Sequence, residues 1–212
     1  MWNQFFRQMK NYPERILKNL SERERYKNLR TEPVPKLIFH PFSFFPPEET
    51  KVVILCKEPY WIEGLAMGLA YGVPIDCNIP LILDNIFREL RKDVGSAPKK
   101  HLESWAEQGV LLLNLSLTVK VRRPGSDIEY WKPFTDELLM KLSTEKKNIV
   151  FLLWGDFVQN KEDMICKEND HLVLKACDPN PLVSKKYDWS CLNHFSKTNR
   201  WLKSKGKKQI DW

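Results

Sequence analysis

Four short runs of branched apolar residues punctuate the chain: KVVILC at 51–56, VLLLNLSL at 110–117, IVFLLW at 149–154 and HLVLKAC at 171–177. Each is continuous rather than alternating, which is the pattern of a strand covered on both faces. Segments with helical spacing lie between them. In LILDNIFRELRKD, Leu83, Ile86, Phe87 and Leu90 recur on one side. In YWKPFTDELLMKLSTE, Trp131, Phe134, Leu138 and Leu142 form one stripe, with Pro133 near its start. Helices are also expected over much of 2–30, where Phe5, Phe6, Met9, Ile16, Leu17 and Leu20 recur, and over 193–205. The stretch TEPVPKLIFHPFSFFPPEE is broken by prolines and reads as an extended approach to the first strand. Strands alternating with helices predict an α/β fold: a three-layer domain with a central, mostly parallel four-stranded sheet flanked by helices.

Charge divides the chain. The total is +7, yet residues 1–36 carry nine Lys/Arg against four Glu, and residues 196–212 carry six against one Asp. Each end is therefore +5, leaving −3 for residues 37–195. The expected organisation is a basic N-terminal helical extension over 1–36, a candidate docking region for a protein partner, followed by the main domain over 37–212. Terminal basic arms can grip phosphates, although such runs also serve as plain solvated faces. No apolar run approaches the ~20 residues of a membrane helix, and with Glu14, Glu22 and Glu24 among its basic residues the N-terminal segment is expected to be neither a secretory nor a mitochondrial leader. The five cysteines are odd in number and form no CxxC pair. Reduced thiols in an intracellular compartment are expected. His40 and His171 have no metal-ligand spacing with them, so neither a metal nor a cofactor is expected.

In a parallel α/β sheet, ligands bind beyond the carboxyl ends of the strands. The residues at or just past those ends are Lys57-Glu58-Pro59-Tyr60, then Asn114 and Ser116, then Gly155-Asp156, then Asp178-Pro179-Asn180-Pro181-Leu182. Carboxylates, an amide, a tyrosine and two proline-stiffened loops therefore gather at one edge. Position alone names no reaction.

The residues themselves resemble a family. KVVILCKEPYW is similar to VVILGQDPYH of the uracil-DNA glycosylases, GLAMGLAYGV to GQAHGLAFSV, and LILDNIFREL to PPSLxNIFKEL. WAEQGVLLLNLSLTV resembles WAxQGVLLLNxxLTV, VFLLWGDFVQ resembles VFLLWGxxAQ, DPNPLV stands where HPSPLS would be, and the closing run ends in the same IDW. The likeness runs in order from about residue 35 to the C-terminus. It implies a protein that flips a uridine out of DNA and hydrolyses its glycosidic bond in base-excision repair, since the bond is out of reach inside a duplex. By that resemblance, Asn114 reads the base edge, Tyr71 stacks on the base, Tyr60 blocks the methyl of thymine, and Leu182 wedges into the duplex. Lys57 belongs to the same base pocket. Pro59, Pro179, Asn180, Pro181 and Lys185 lie on the loops that would meet DNA.

The chemical positions depart from the family pattern. The acid that positions water is Glu58 instead of Asp, and a misplacement of about 1 Å can cost about a hundredfold. The histidine that would steady the departing uracil anion is Asp178. Loss of such a donor typically costs about 10²–10³ in rate. A carboxylate about 4 Å from the anion, at an effective dielectric near 20, adds repulsion on the order of 4 kcal/mol. Family serines that clamp phosphate become Ile82, Asp156 and Asn180, while Lys57, Lys185 and Lys186 favour DNA. Glu58 and Asp178 are thus either relics or a pair of carboxylates sharing a proton, in which a protonated Asp178 could donate to a leaving base. Two classes of function stay open: an N-glycosidic hydrolase of altered rate or base preference, and a non-catalytic module binding DNA or a protein. His194 is expected to be structural, at the start of a helix.

Overall fold

The computed structural model describes residues 2–10, 14–27, 30–96, 102–183, 189 and 192–212. Its centre is a sheet of four parallel strands: β2 (Val52–Cys56), β3 (Val110–Asn114), β5 (Val150–Trp154) and β6 (Leu172–Ala176), in the order β3-β2-β5-β6. β1 (Thr31–Glu32) and β4 (Val119–Lys120) form a separate antiparallel ribbon. The expected three-layer α/β fold is the fold observed.

Side-chain alternation along the strands separates the two outer layers. Val53, Leu55, Leu111, Leu113, Phe151 and Leu153 point to one face, where they meet α5 (Ile128–Glu145) through Trp131, Phe134, Leu138 and Leu142. Val52, Ile54, Val110, Leu112, Val150 and Leu152 point to the other. There they meet α3 (Leu81–Val94) through Leu83, Ile86, Phe87 and Leu90, and α7 (His194–Ser204) through Phe195 and Leu202. Central strand residues are fully buried, which explains why their sequences read as unbroken apolar runs. β6 is an edge strand, half-exposed, and turns Lys175 toward solvent, a residue that discourages further pairing there. Two short helices, α4 (Glu103–Ala106) and α6 (Asp156–Gln159), complete the layers.

The helices expected over 2–30 are observed, whereas the extended approach to the first strand is corrected. The helical pattern over 2–30 resolves into α1 (Trp2–Arg7) and α2 (Glu14–Lys27). Trp2, Phe5, Phe6 and Met9 are buried in the same core as Phe42, Phe45 and Phe134, and the Trp2 indole N–H donates to Phe45 O at 2.6 Å. The start of the chain thus packs into the core. The proline-broken approach is not simply extended. It winds through three 3₁₀ turns, Pro35–Leu37, His40–Phe42 and Pro47–Glu49, each with proline in its first turn, where a missing N–H costs nothing.

Candidate active site

The carboxyl edge of the sheet opens on a cavity of about 260 Å³. β2 ends at Cys56 and passes directly into Lys57-Glu58-Pro59-Tyr60, all of which line it. β5 supplies Trp154 and Gly155, and the chain beyond β6 supplies Asp178 and Asn180. Tyr71 closes the inner side with its backbone held left-handed, at φ 62°. A non-glycine residue keeps such a conformation only when its surroundings over-determine it. Here the ring lies 5.8 Å from that of Trp154, and the phenol donates to Leu55 O at 3.3 Å.

The Glu58 carboxylate is nearly buried, with its side chain 10% exposed. Its Oε2 accepts the Gly125 N–H at 2.6 Å, and the Lys57 ammonium stands 3.7 Å from Oε1. Lys57 also sits over the Phe157 ring at 5.3 Å. Asp178 Oδ1 accepts the Asn180 N–H at 2.8 Å, closing an Asx turn in its own loop. Burial pushes the Asp178 carboxyl above its ordinary range, and the Asp156 carboxylate adds to that rise. The Asn180 N–H and the Lys57 ammonium oppose it. Asp178 fits this closely because residue 155 is glycine: a Cβ there would fall 3.0 Å from Oδ2, and the φ of 105° suits glycine alone.

The cavity wall therefore brings together Lys57, Glu58, Pro59, Tyr60, Tyr71, Asp178 and Asn180 from the expected set. Tyr60 donates to Tyr71 O at 3.4 Å, and burial pushes its phenol upward. Asn114 is not in that wall. It is 1% exposed, and its Nδ2 donates to Gly68 O at 3.2 Å. Leu182 stands on the rim, 79% exposed, its N–H bonded to Asn180 Oδ1 at 3.0 Å. Pro179 and Pro181 belong to the same loop but not to the wall, and Pro179 O accepts from Asn85 Nδ2 on α3. Lys185 and Lys186 lie outside the described residues.

Gly125 went unmarked in the sequence as a functional position. RRPGSD carries a plain turn signal, but the bond to a carboxylate 67 residues away is written only in three dimensions. Phe157 and Val183, which also line the cavity, look like ordinary apolar residues in the sequence. His194 opens α7 and accepts the Trp154 indole N–H at 3.0 Å through Nδ1, holding that ring against the inner wall. Among the described residues, no cluster of His, Cys, Asp and Glu is suited to a metal ion.

Fold and site together define a parallel α/β protein with an acidic and aromatic cavity at the carboxyl edge of its sheet. The model of the Uracil DNA glycosylase superfamily matches residues 42–203, and the chain belongs to that superfamily. It is 44% identical over 188 residues to a uracil-DNA glycosylase of Campylobacter jejuni, covering 87% of this chain and 80% of that protein. It is 43% identical over 194 residues to uracil-DNA glycosylase 2 of Bacteroides fragilis, covering 90% and 87%. The crystal structure of mimivirus uracil-DNA glycosylase superposes with a TM-score of 0.85 at 30% identity, over 99% of this chain and 83% of that one.

Proposed function

We propose that this chain is a DNA-binding member of the superfamily whose cavity keeps the form of a base pocket but removes uracil poorly or not at all. The carrying observation is the Asp178 carboxylate in the cavity wall, in company with Glu58. A nucleobase leaves with its bonding electrons, and its departure is helped by a donor or cation placed at the growing charge. An ionised acid there does the opposite. Glu58 is the candidate for steering water, Asp178 for the failed partner, Tyr71 and Tyr60 for holding the base, and Leu182 for entering the duplex. Asn180, Pro59, Pro179 and Pro181 would face the phosphates. DNA is the proposed partner, and the names of the relatives at 43–44% identity support that. A protein partner at the basic N-terminal region would meet its charged side, because the core takes Trp2, Phe5 and Phe6 of α1 and Ile16 and Leu17 of α2 pack against it. No described helix is long and apolar enough to cross a membrane.

A second reading is favoured by the raised Asp178 carboxyl. Protonated, Asp178 becomes a donor, and the site could then release a modified base that needs one. Oligonucleotides carrying uracil or other modified bases, incubated with the protein and then treated with alkali, separate the two. The first reading expects little strand cleavage at uracil, with a gain when Glu58→Asp and Asp178→His are combined. Cleavage at another base that vanishes with Asp178→Ala, which removes the donor, would decide for the second.

A further inference from the structure

We propose that Cys56 is a specificity-determining plug: with the Tyr71 phenol, it separates the Asn114 amide from the cavity. The inference rests on reading the cavity as a base pocket. Cys56 on β2 is the direct partner of Asn114 on β3, and β5, which ends in Trp154, pairs with the other side of β2. Register partners in a parallel pair point to the same face. Asn114, Cys56 and Trp154 therefore form a row across the strand ends, on the face that also carries Tyr71. The cavity touches Cys56, Trp154 and Tyr71 but stops short of Asn114. In that row Cys56 is the residue between.

Asn114 is meanwhile in an unusual condition. Its Nδ2 is held by Gly68 O, which fixes the amide, while its Oδ1 is buried and has no hydrogen-bond partner among the described residues. A buried carbonyl left so is costly and calls for a reason. An acceptor fixed in place and unsatisfied suits a ligand carrying an N–H donor, such as the imide edge of a pyrimidine. The amide is thus prepared, but the way to it is closed.

The closure is firmly made. The Cys56 thiol reaches Glu58 O at 3.5 Å and faces the Tyr71 hydroxyl, which is itself anchored on Leu55 O. Burial pushes the thiol up to about 12, so the plug is an uncharged group of fixed shape at neutral pH. Trimming this side chain, to alanine or to glycine, should join Asn114 to the cavity.

Saturation-transfer NMR with free uracil tests this without requiring catalysis. The natural chain is expected to show no transfer, whereas Cys56→Gly and Cys56→Ala gain binding about tenfold or more, the scale of one methylene-sized group in a pocket. Adding Asn114→Ala to either should remove the gain. If Cys56→Gly does not fold, as judged by near-UV circular dichroism, Cys56→Ala combined with Tyr71→Phe carries the test. Folded variants that gain no binding overturn the plug, and so does a gain indifferent to Asn114→Ala. Asn114-dependent binding of free uracil by the natural chain overturns the plug while leaving the weak-excision reading standing. Efficient uracil release from DNA by the natural chain, unaffected by Asn114→Ala, overturns that reading and not the plug. Binding without release by Cys56→Gly supports the plug.

Discussion

The Glu58 carboxylate is held by the backbone of Gly125, whose N–H donates to Oε2 at 2.6 Å. One loop thus aims the acid that another loop carries. The same segment is tied at Arg122, whose N–H donates to Trp61 O at 2.9 Å. The aim of Glu58 therefore depends on the shape of residues 122–125.

Gly125→Ala tests that dependence. The glycine has φ 80°, and an added Cβ meets nothing nearer than Ile128 Cδ1 at 3.8 Å. The cost is then one of backbone conformation rather than crowding. A loss of about 1 kcal/mol is expected in urea denaturation. If the variant is as stable as the parent, the left-handed turn is not what holds this loop.

Asp178 should make stability depend on pH in an uncommon direction. Its carboxyl is raised in the folded state, chiefly by burial. Its favourable contribution is present below the ordinary carboxylate range and is lost as pH rises through the folded value. Asp178→Asn keeps the acceptor for the Asn180 N–H and removes the charge. The variant should therefore be more stable than the parent at pH 7, with the advantage shrinking toward pH 4. Urea midpoints at the two pH values read the difference, and an unchanged gap between them would contradict it.

His194 acts in the opposite sense. Burial lowers its pKa to about 4, and its Nδ1 accepts from the Trp154 indole, an arrangement that needs the neutral ring. The unfolded chain takes up a proton near pH 6.5 that the folded chain refuses. Stability should fall as pH drops from about 6.5 to about 4, by up to about 3 kcal/mol from this group. His194→Gln offers an acceptor that does not titrate. Its stability should change less over that window, and equal slopes for parent and variant would sink the assignment.

Trp2 is 3% exposed and packs its indole against Phe5, Phe6, Phe42 and Phe45. Trp2→Ala should cost about 3–5 kcal/mol, the scale for a large core aromatic. A value under about 0.5 kcal/mol, typical of surface changes, would mean that the first helix is an appendage after all.

Sequence and structure contribute to this picture unequally. The continuous apolar runs marked all four central strands within a residue or so at their shared ends, except that 115–117 leaves β3 while its amides still bond to Cys56 O and Lys57 O. Periodicity likewise showed the buried stripes of α3 and α5. These features are legible because burial on both faces, or on one stripe, dictates residue type locally. In the segment 1–36 the charge and the apolar repeat are legible in the sequence, whereas the partners of Trp2, Phe5 and Phe6 are not, because they lie far along the chain.

The sequence by itself determined the strand runs, the acid at 58 and the acid at 178, since local composition and motif order carry them. Only the tertiary structure decided that Gly125 holds Glu58, that Asp156 and Lys57 pull Asp178 in opposite directions, and that Cys56 lies between Asn114 and the cavity. Each of those is a relation across strands or loops distant in the chain. Such distances, and the burial that sets charge and access, exist only once the sheet has aligned its carboxyl ends.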